Sequence, residues 1–457
     1  MNPVLACLAW APMLAQAPDP SATRPWTILV YGGADNNADG PILAFLDDVR
    51  AAIDDDPGID LLLLIDRSEG FSDDATSLGA DFTGARLFRL HRDSVERLPG
   101  GAFFPELDAD GDVELDSADA DVLRRFIDWG KATSPAKRTG LMIYSHADGI
   151  SMCPDEESGH RMGIPELSRT LGAAQSLDFL ALELCNMGGI EIGYQWRPGK
   201  DRFGADVLVA IPNAGPPLDW DRAFARIRSA GHATAATGTI LDPVAMSPAD
   251  FGRLVIEEGR RGRELAAEAH PERVKHEAAA CYDLAAAEGV KRALDGLARA
   301  LAAEDSREVF CEMRGPGPIG FCFNYEGNGP LVDLHDLCAR AADCDAFSDG
   351  VRARARAVTE AVDAYALASF GMSAYPNFQP GRNGLFVIFP ADEPGRWPRF
   401  DWYTPRSCVR DGKDIGGWAF LADGGTPGNG VVETWFELLD SWYDSADDAG
   451  GANGYAF

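Results

Sequence analysis

After its first 17 residues the chain has no apolar stretch approaching the roughly 20 residues that a membrane-spanning helix needs, so no membrane span is expected there. Positive charge is scarce. Forty-one Lys and Arg stand against 72 Asp and Glu, a net charge of -31, and such a field repels nucleic acid and anionic lipid while favouring cationic partners. Nucleic acid is therefore not an expected partner. No Cys-x-x-Cys pair and no Cys/His cluster has the spacing of zinc ligands, which argues against a structural zinc site. No internal repeat is present, which argues against a solenoid or a propeller.

What is present is ample apolar material: 46% of the 457 residues are hydrophobic, enough for two domains or one large one. The opening segment, residues 1–17, is apolar and short and ends in Ala15-Gln16-Ala17, a small-x-small cleavage pattern. It reads as a signal peptide, although no basic residue precedes its apolar run, and it predicts a secreted, periplasmic or cell-envelope protein. In an oxidising compartment Cys311 and Cys322, and separately Cys338 and Cys344, are close enough in sequence to pair, with connectivity left open.

Continuous apolar runs at 27–31, 59–65, 86–90, 141–145, 179–184 and 207–211 read as strands, separated by helix patterns such as 42–53 and 122–129. Strands without polar alternation belong to a sheet covered on both faces, so the first half is expected to be a doubly wound, mostly parallel α/β sheet. From about residue 223 Ala-rich helical stretches dominate, notably 284–303, and the sheet-like run of that half is 384–389. The expected organisation is a leader over 1–17, an α/β domain over 24–228, a helix-rich region over 229–445 and a tail over 446–457.

Two of the runs end in chemistry. Cys185 closes the run that begins at Asp178, and His146 closes the one that begins at Gly140. A Cys is an effective nucleophile only when a neighbouring base or positive charge favours its thiolate, and a His within hydrogen-bond reach does both. The interval between the two leaves room for a loop and one crossover helix (164–171), which would set the two strand ends side by side. An ordinary buried thiol and a satisfied loop histidine are the alternative reading of the same residues.

The surroundings resemble the clostripain family of cysteine peptidases. The strand starting at Trp26 with the turn Ala34-Asp35-Asn36-Asn37 is similar to that family's opening segment, as are the helix at 122–129, the strand ending in His146 and the segment Pro165-Glu166-Leu167. Glu183-Leu184-Cys185-Asn186-Met187, followed by Glu191 and Tyr194, resembles its nucleophile segment. Runs starting at Cys281, Leu331 and Gly384 resemble later landmarks, so the likeness covers about residues 26–443. The resemblance implies a caspase-like fold and a Cys185/His146 dyad that acts on polypeptide substrates through an acyl-enzyme. It also implies cleavage after Arg or Lys and, in many relatives, calcium-assisted self-processing.

Three departures from the family pattern stand out. Ala147 and Asp148 replace the glycines that usually follow the His, so a Cβ or a carboxylate could crowd the oxyanion site. Glu183 replaces an Asp that faces the basic P1 side chain, and Pro212-Asn213 replaces an acidic stretch; Glu183 and Asn213 are thus the expected substrate-binding residues. A catalytically weak or inactive binding protein on a peptidase fold, or a peptide ligase on the same dyad, are the rival functions.

Residues 108–119 offer oxygens at calcium-loop spacing, with Asp108, Asp110, Asp112 and Asp119 as candidate ligands. Val113 stands where such a loop has Gly, and the same residues fit an acidic loop in which Ser117 or Asp119 caps the following helix. Residues 153–161 are polar and end at Arg161, the first basic residue after His146 and the candidate processing site.

Overall fold

Each apolar run expected as a strand is one in the computed structural model, which describes residues 23–53, 58–109, 111–232, 236–314, 330–375, 377–390, 397, 400–410 and 412–443. The leader and the tail lie outside these residues. In chain order the elements of the first half are β1 (Arg24–Ala34), α1 (Asp39–Ile53), β2 (Ile59–Arg67), β3 (Gly84–Leu90), β4 (Val95–Arg97), α2 (Ala120–Thr133) and β5 (Ala136–Tyr144). There follow the short strands β6 (Ser151–Met152) and β7 (Met162–Gly163), then α3 (Ile164–Thr170), β8 (Leu177–Glu183), α4 (Ile190–Gln195), β9 (Ala205–Ala210) and α5 (Trp220–Ala225). The second half contributes α6 (Pro248–Ala269), β10 (Ala278–Asp283), β11 (Leu331–Asp333), β12 (Ala366–Gly371) and β13 (Phe386–Ile388), with long helices at Ala287–Ala302 and Asp349–Tyr365.

One nine-stranded sheet organises the chain in the order β12-β10-β9-β8-β5-β1-β2-β3-β4. Its five central strands, from β9 to β2, run parallel, while β3 and β4 at one edge and β10 and β12 at the other are antiparallel. Successive residues of a strand face opposite ways, and here both faces are buried. Leu29, Tyr31, Leu62, Leu141, Ile143, Leu180 and Leu182 pack on one side with Leu123, Phe126 and Ile127 of α2. Ile28, Val30, Leu63, Met142, Phe179 and Ala181 pack on the other with α1, α5 and α6. That two-sided burial is why the runs read as continuously apolar.

The expected division at 228/229 falls inside this architecture. β10 and β12, both beyond it, complete the sheet beside β9, and Leu294, Leu297 and Leu301 share the core of Leu180 and Leu182. Cys311, Cys338 and Cys344 are free thiols, and Cys322 lies outside the described residues. No helix of the described residues is long and apolar enough to cross a membrane.

Candidate active site

Parallel strands present their carboxyl ends along one edge of the sheet, where an α/β fold collects its chemistry. β5 and β8 are adjacent and parallel, with Tyr144 opposite Glu183. His146 and Cys185 each follow two residues after that pair, so the two side chains leave neighbouring strands, about 4.8 Å apart, at the same level. Cys185 is partly exposed, whereas Cys153, Cys281 and Cys338 are buried. Burial pushes those three thiols up, Cys153 to about 12, and so suppresses their reactivity.

The strand on the other side of β5 is β1, with Gly32 opposite Tyr144. The turn after β1 brings Asn37 to the histidine, and its Oδ1 lies 2.7 Å from His146 Nε2. With the amide oxygen toward the ring, Nε2 donates and Nδ1 carries the lone pair. Partial desolvation, then the charge of Arg161, holds the imidazole below its usual pKa. Asn37 was legible only as part of a family-like turn, because a single Asn carries no signal until the strand order puts it beside the histidine.

Asn36 fastens that turn, its amide Nδ2 donating to the carbonyls of Gly33 (3.0 Å) and Pro154 (2.8 Å). Behind it Arg67 grips Asp39 at the start of α1 through two hydrogen bonds of 2.9 and 3.1 Å. The turn at Cys185 is held as firmly. Asn186 adopts a left-handed φ of 62°, a conformation Asn tolerates better than most residues, and its N–H donates to the Asn213 carbonyl (3.0 Å). The N–H of Met187 donates to Ile211 (2.8 Å).

The residues that depart from the family pattern are engaged in contacts of their own. Ala147 is buried in the core beneath the sheet edge and bridges Met152. Asp148 turns its carboxylate onto the N–H groups of Ile150 (3.0 Å) and Ser151 (2.9 Å). Gly149, at φ 85°, passes close to the turn after Cys185, where a Cβ would stand 3.1 Å from the Asn186 carbonyl oxygen. Glu183 is 3% exposed; its oxygens accept from Leu218 N and Trp220 Nε1, both at 2.8 Å, and burial raises it to about 7. Asn213 is fully buried and donates to the His276 carbonyl and the Tyr375 hydroxyl. Both therefore build the wall beside Cys185 through scaffold contacts. Arg263 joins that wall, paired with Asp219 (2.7 Å) and Glu277.

Glu191 and Tyr194 are packing residues: Glu191 Oε1 accepts from Ile388 N and Tyr403 Oη, both at 2.9 Å, and Tyr194 donates to Asp423 (2.8 Å).

The acidic loop does not assemble the expected calcium ligands. Asp108 accepts from the N–H groups of Gly100 (2.6 Å) and Gly101 (2.9 Å), Asp112 pairs with Arg86 (2.9 Å), and Asp119 caps α2 through Asp121 N (2.9 Å). Asp110 lies outside the described residues. Asp108, Asp112 and Asp119 are thus each engaged by a backbone or guanidinium donor of their own. Of residues 153–161, read as a polar surface connection, 156–161 are exposed while Cys153 and Asp155 are buried, and Arg161 stands 3.8 Å from Asp148.

Comparison with known proteins identifies the family and the fold. The model of the clostripain family matches residues 30–441. The chain is 31% identical over 475 residues to clostripain of Hathewaya histolytica, covering 94% of this chain and 89% of that protein. Among solved structures it shares its fold with an inactive zymogen C11 protease from Parabacteroides distasonis, at a TM-score of 0.54 and 16% identity, covering 81% of this chain and 93% of that one. A secreted C11 cysteine protease from Bacteroides thetaiotaomicron, solved in complex with an irreversible peptide inhibitor, gives a TM-score of 0.54 at 16% identity over 83% of this chain and 98% of its own.

Proposed function

Since the chain belongs to the clostripain family and is a cysteine-type endopeptidase, we propose that it is an exported enzyme that cleaves polypeptides after Arg or Lys, with Cys185 as nucleophile and His146 as its acid–base partner. The observation that carries the dyad is the register: both residues sit two positions beyond a directly paired Tyr144 and Glu183. In this mechanism His146 Nδ1 takes the thiol proton, the thiolate attacks the scissile carbonyl carbon, and the imidazolium returns the proton to the leaving amine. Water then hydrolyses the thioester, with the imidazole as base.

The N–H groups of Asp148, Ile150, Ser151, Asn186 and Met187 are committed to bonds within and beside their own turns. The oxyanion donors in this reading are accordingly the N–H groups of Cys185 and Gly149. Ala147, buried in the core, and Asp148, turned onto the N–H groups of its own loop, support an open site in this reading.

Basic P1 specificity is supported by charge. Glu183, Asp219 and Glu277 lie around the guanidinium of Arg263, with Arg222 also acting on Asp219, so carboxyl groups outnumber guanidiniums at this corner, which favours an incoming cation. Export rests on the pattern at Ala15-Gln16-Ala17, which predicts a mature start at Pro18.

The test is covalent labelling of Cys185 by a basic-P1 acyloxymethyl ketone, with a substrate panel varied only at P1. Expected are labelling lost in Cys185→Ala, a strong preference for Arg and Lys over Leu, and at least a tenfold fall in kcat/KM for basic P1 in Glu183→Gln, about 1.4 kcal/mol. Equal cleavage after Leu and Arg by the native enzyme would sink the specificity, and hydrolysis surviving in Cys185→Ala would sink the dyad.

A further inference from the structure

The segment that follows β9 includes Pro216 and Pro217. Proline has no N–H to donate, so at these two residues the backbone can be fastened only through its carbonyls. One side chain takes both. Arg263, late in α6, donates from Nη2 to the carbonyls of Pro216 (3.3 Å) and Pro217. Its Nη1 donates to Asp219 Oδ2 (2.7 Å), and its Nε pairs with Glu277, the residue before β10.

The helix is shaped for this contact. At Gly262 an added Cβ would stand 2.3 Å from the carboxyl carbon of Asp219, so only glycine lets that side chain seat against α6. Arg263 and Glu277 are each 8% exposed. Burial raises Glu277 and Asp219, and the guanidinium counters both shifts. All three nitrogens of Arg263 are thus engaged on the protein itself, and whatever it contributes passes through the groups it holds.

Those groups lead to the site. Leu218 and Trp220, on either side of Asp219, carry the two donors that Glu183 accepts from, and Glu183 lies two residues before Cys185. At the start of the same segment Asn213 donates to the carbonyl of His276, the neighbour of Glu277. A planar guanidinium presents its donors in fixed directions, so it can hold a carboxylate, two carbonyls and a second carboxylate at set angles. An ammonium group keeps the charge without that geometry.

We propose that Arg263 is the positioning residue for a basic P1 side chain: it fixes residues 216–219 and, through Leu218 and Trp220, the carboxyl group of Glu183 where the substrate's cation is received. The inference rests on the P1 reading given above and deepens it, since it assigns the shape of that corner to a residue that does not touch the substrate. The carboxyl groups attract the cation, and the guanidinium gives it a defined seat.

Peptide substrates that differ only at P1, Arg or Leu, test it on the full chain. In Arg263→Lys, KM for P1 Arg should rise roughly tenfold or more with kcat within about threefold of native, while kcat/KM for P1 Leu stays within about twofold. Iodoacetamide, which has no P1 side chain, should alkylate Cys185 of that variant at the native rate. Arg263→Met/Glu277→Gln removes the guanidinium together with the buried charge that needs it, and should lose the same selectivity. If both variants lose cleavage after Arg and after Leu alike, Arg263 only holds the fold and the proposal is overturned. A native preference for Arg that both variants retain overturns it as well and leaves the P1 reading standing, whereas a native enzyme without that preference removes both.

Discussion

Asn37 gives an exposed histidine a direction. Without its hydrogen bond of 2.7 Å the imidazole of His146 is free to turn about χ1 and χ2 and to present either nitrogen to Cys185. A single hydrogen bond of this kind is worth about 1 to 1.5 kcal/mol, so Asn37→Ala should lower kcat about tenfold with little change in KM. Adding Asn37→Ala to His146→Ala should then do almost nothing more, since the asparagine acts only through the ring. Steady-state kinetics of the two single variants and the double one decide this; a further tenfold loss in the double variant would show that Asn37 contacts the substrate instead.

At the scale of elements, strand order rather than any motif assembles the site, because β8, β5 and β1 set Cys185, His146 and Asn37 side by side at one edge. The apolar runs made these strands readable, and the Cys and His at their ends marked the candidate dyad. β10 and β12 were missed for a physical reason. Their sequences, Ala-Ala-Ala-Cys-Tyr-Asp and Ala-Leu-Ala-Ser-Phe-Gly, are rich in Ala, a helix former, and only pairing with β9 makes them strands.

The link between α1 and β2 is the most exposed to mutation. Arg67 and Asp39 are both fully buried, so Arg67→Met leaves a carboxylate uncompensated, a loss of about 3 to 5 kcal/mol. Arg67→Met/Asp39→Leu should recover most of it in urea unfolding; a double variant no better than the single one would deny the pair this role. The 153–161 loop carries the processing prediction. Its exposed arginine lies near enough to lower the pKa of His146, so the purified native enzyme should run as two fragments with a new N-terminus at Met162, and Cys185→Ala as one chain. A fully active enzyme that stays intact would remove the processing claim alone.

The whole molecule should prefer mildly acidic conditions. Burial raises Glu183, Glu191 and Asp333 each to about 7. Above their ordinary values, near 4, the unfolded chain has released protons that the folded chain still holds, so their contribution is full below that point and is lost as pH rises to about 7. Glu191→Gln keeps the oxygen that Ile388 and Tyr403 use and removes the ionisation, which is worth on the order of 3 kcal/mol. Its unfolding free energy should therefore fall less between pH 5 and pH 8 than that of the native chain, and parallel curves would refute the assignment. The sheet's construction also sets a schedule. β9 takes its outer neighbour from residues 278–283, and that strand in turn waits for residues 366–371. A ribosome therefore delivers Cys185 and His146 long before it delivers the strands that finish the wall beside them. The nascent chain presents an open β edge instead of a finished cleft. The wall beside Cys185 is thus completed in synthesis only after residues 366–371 have emerged.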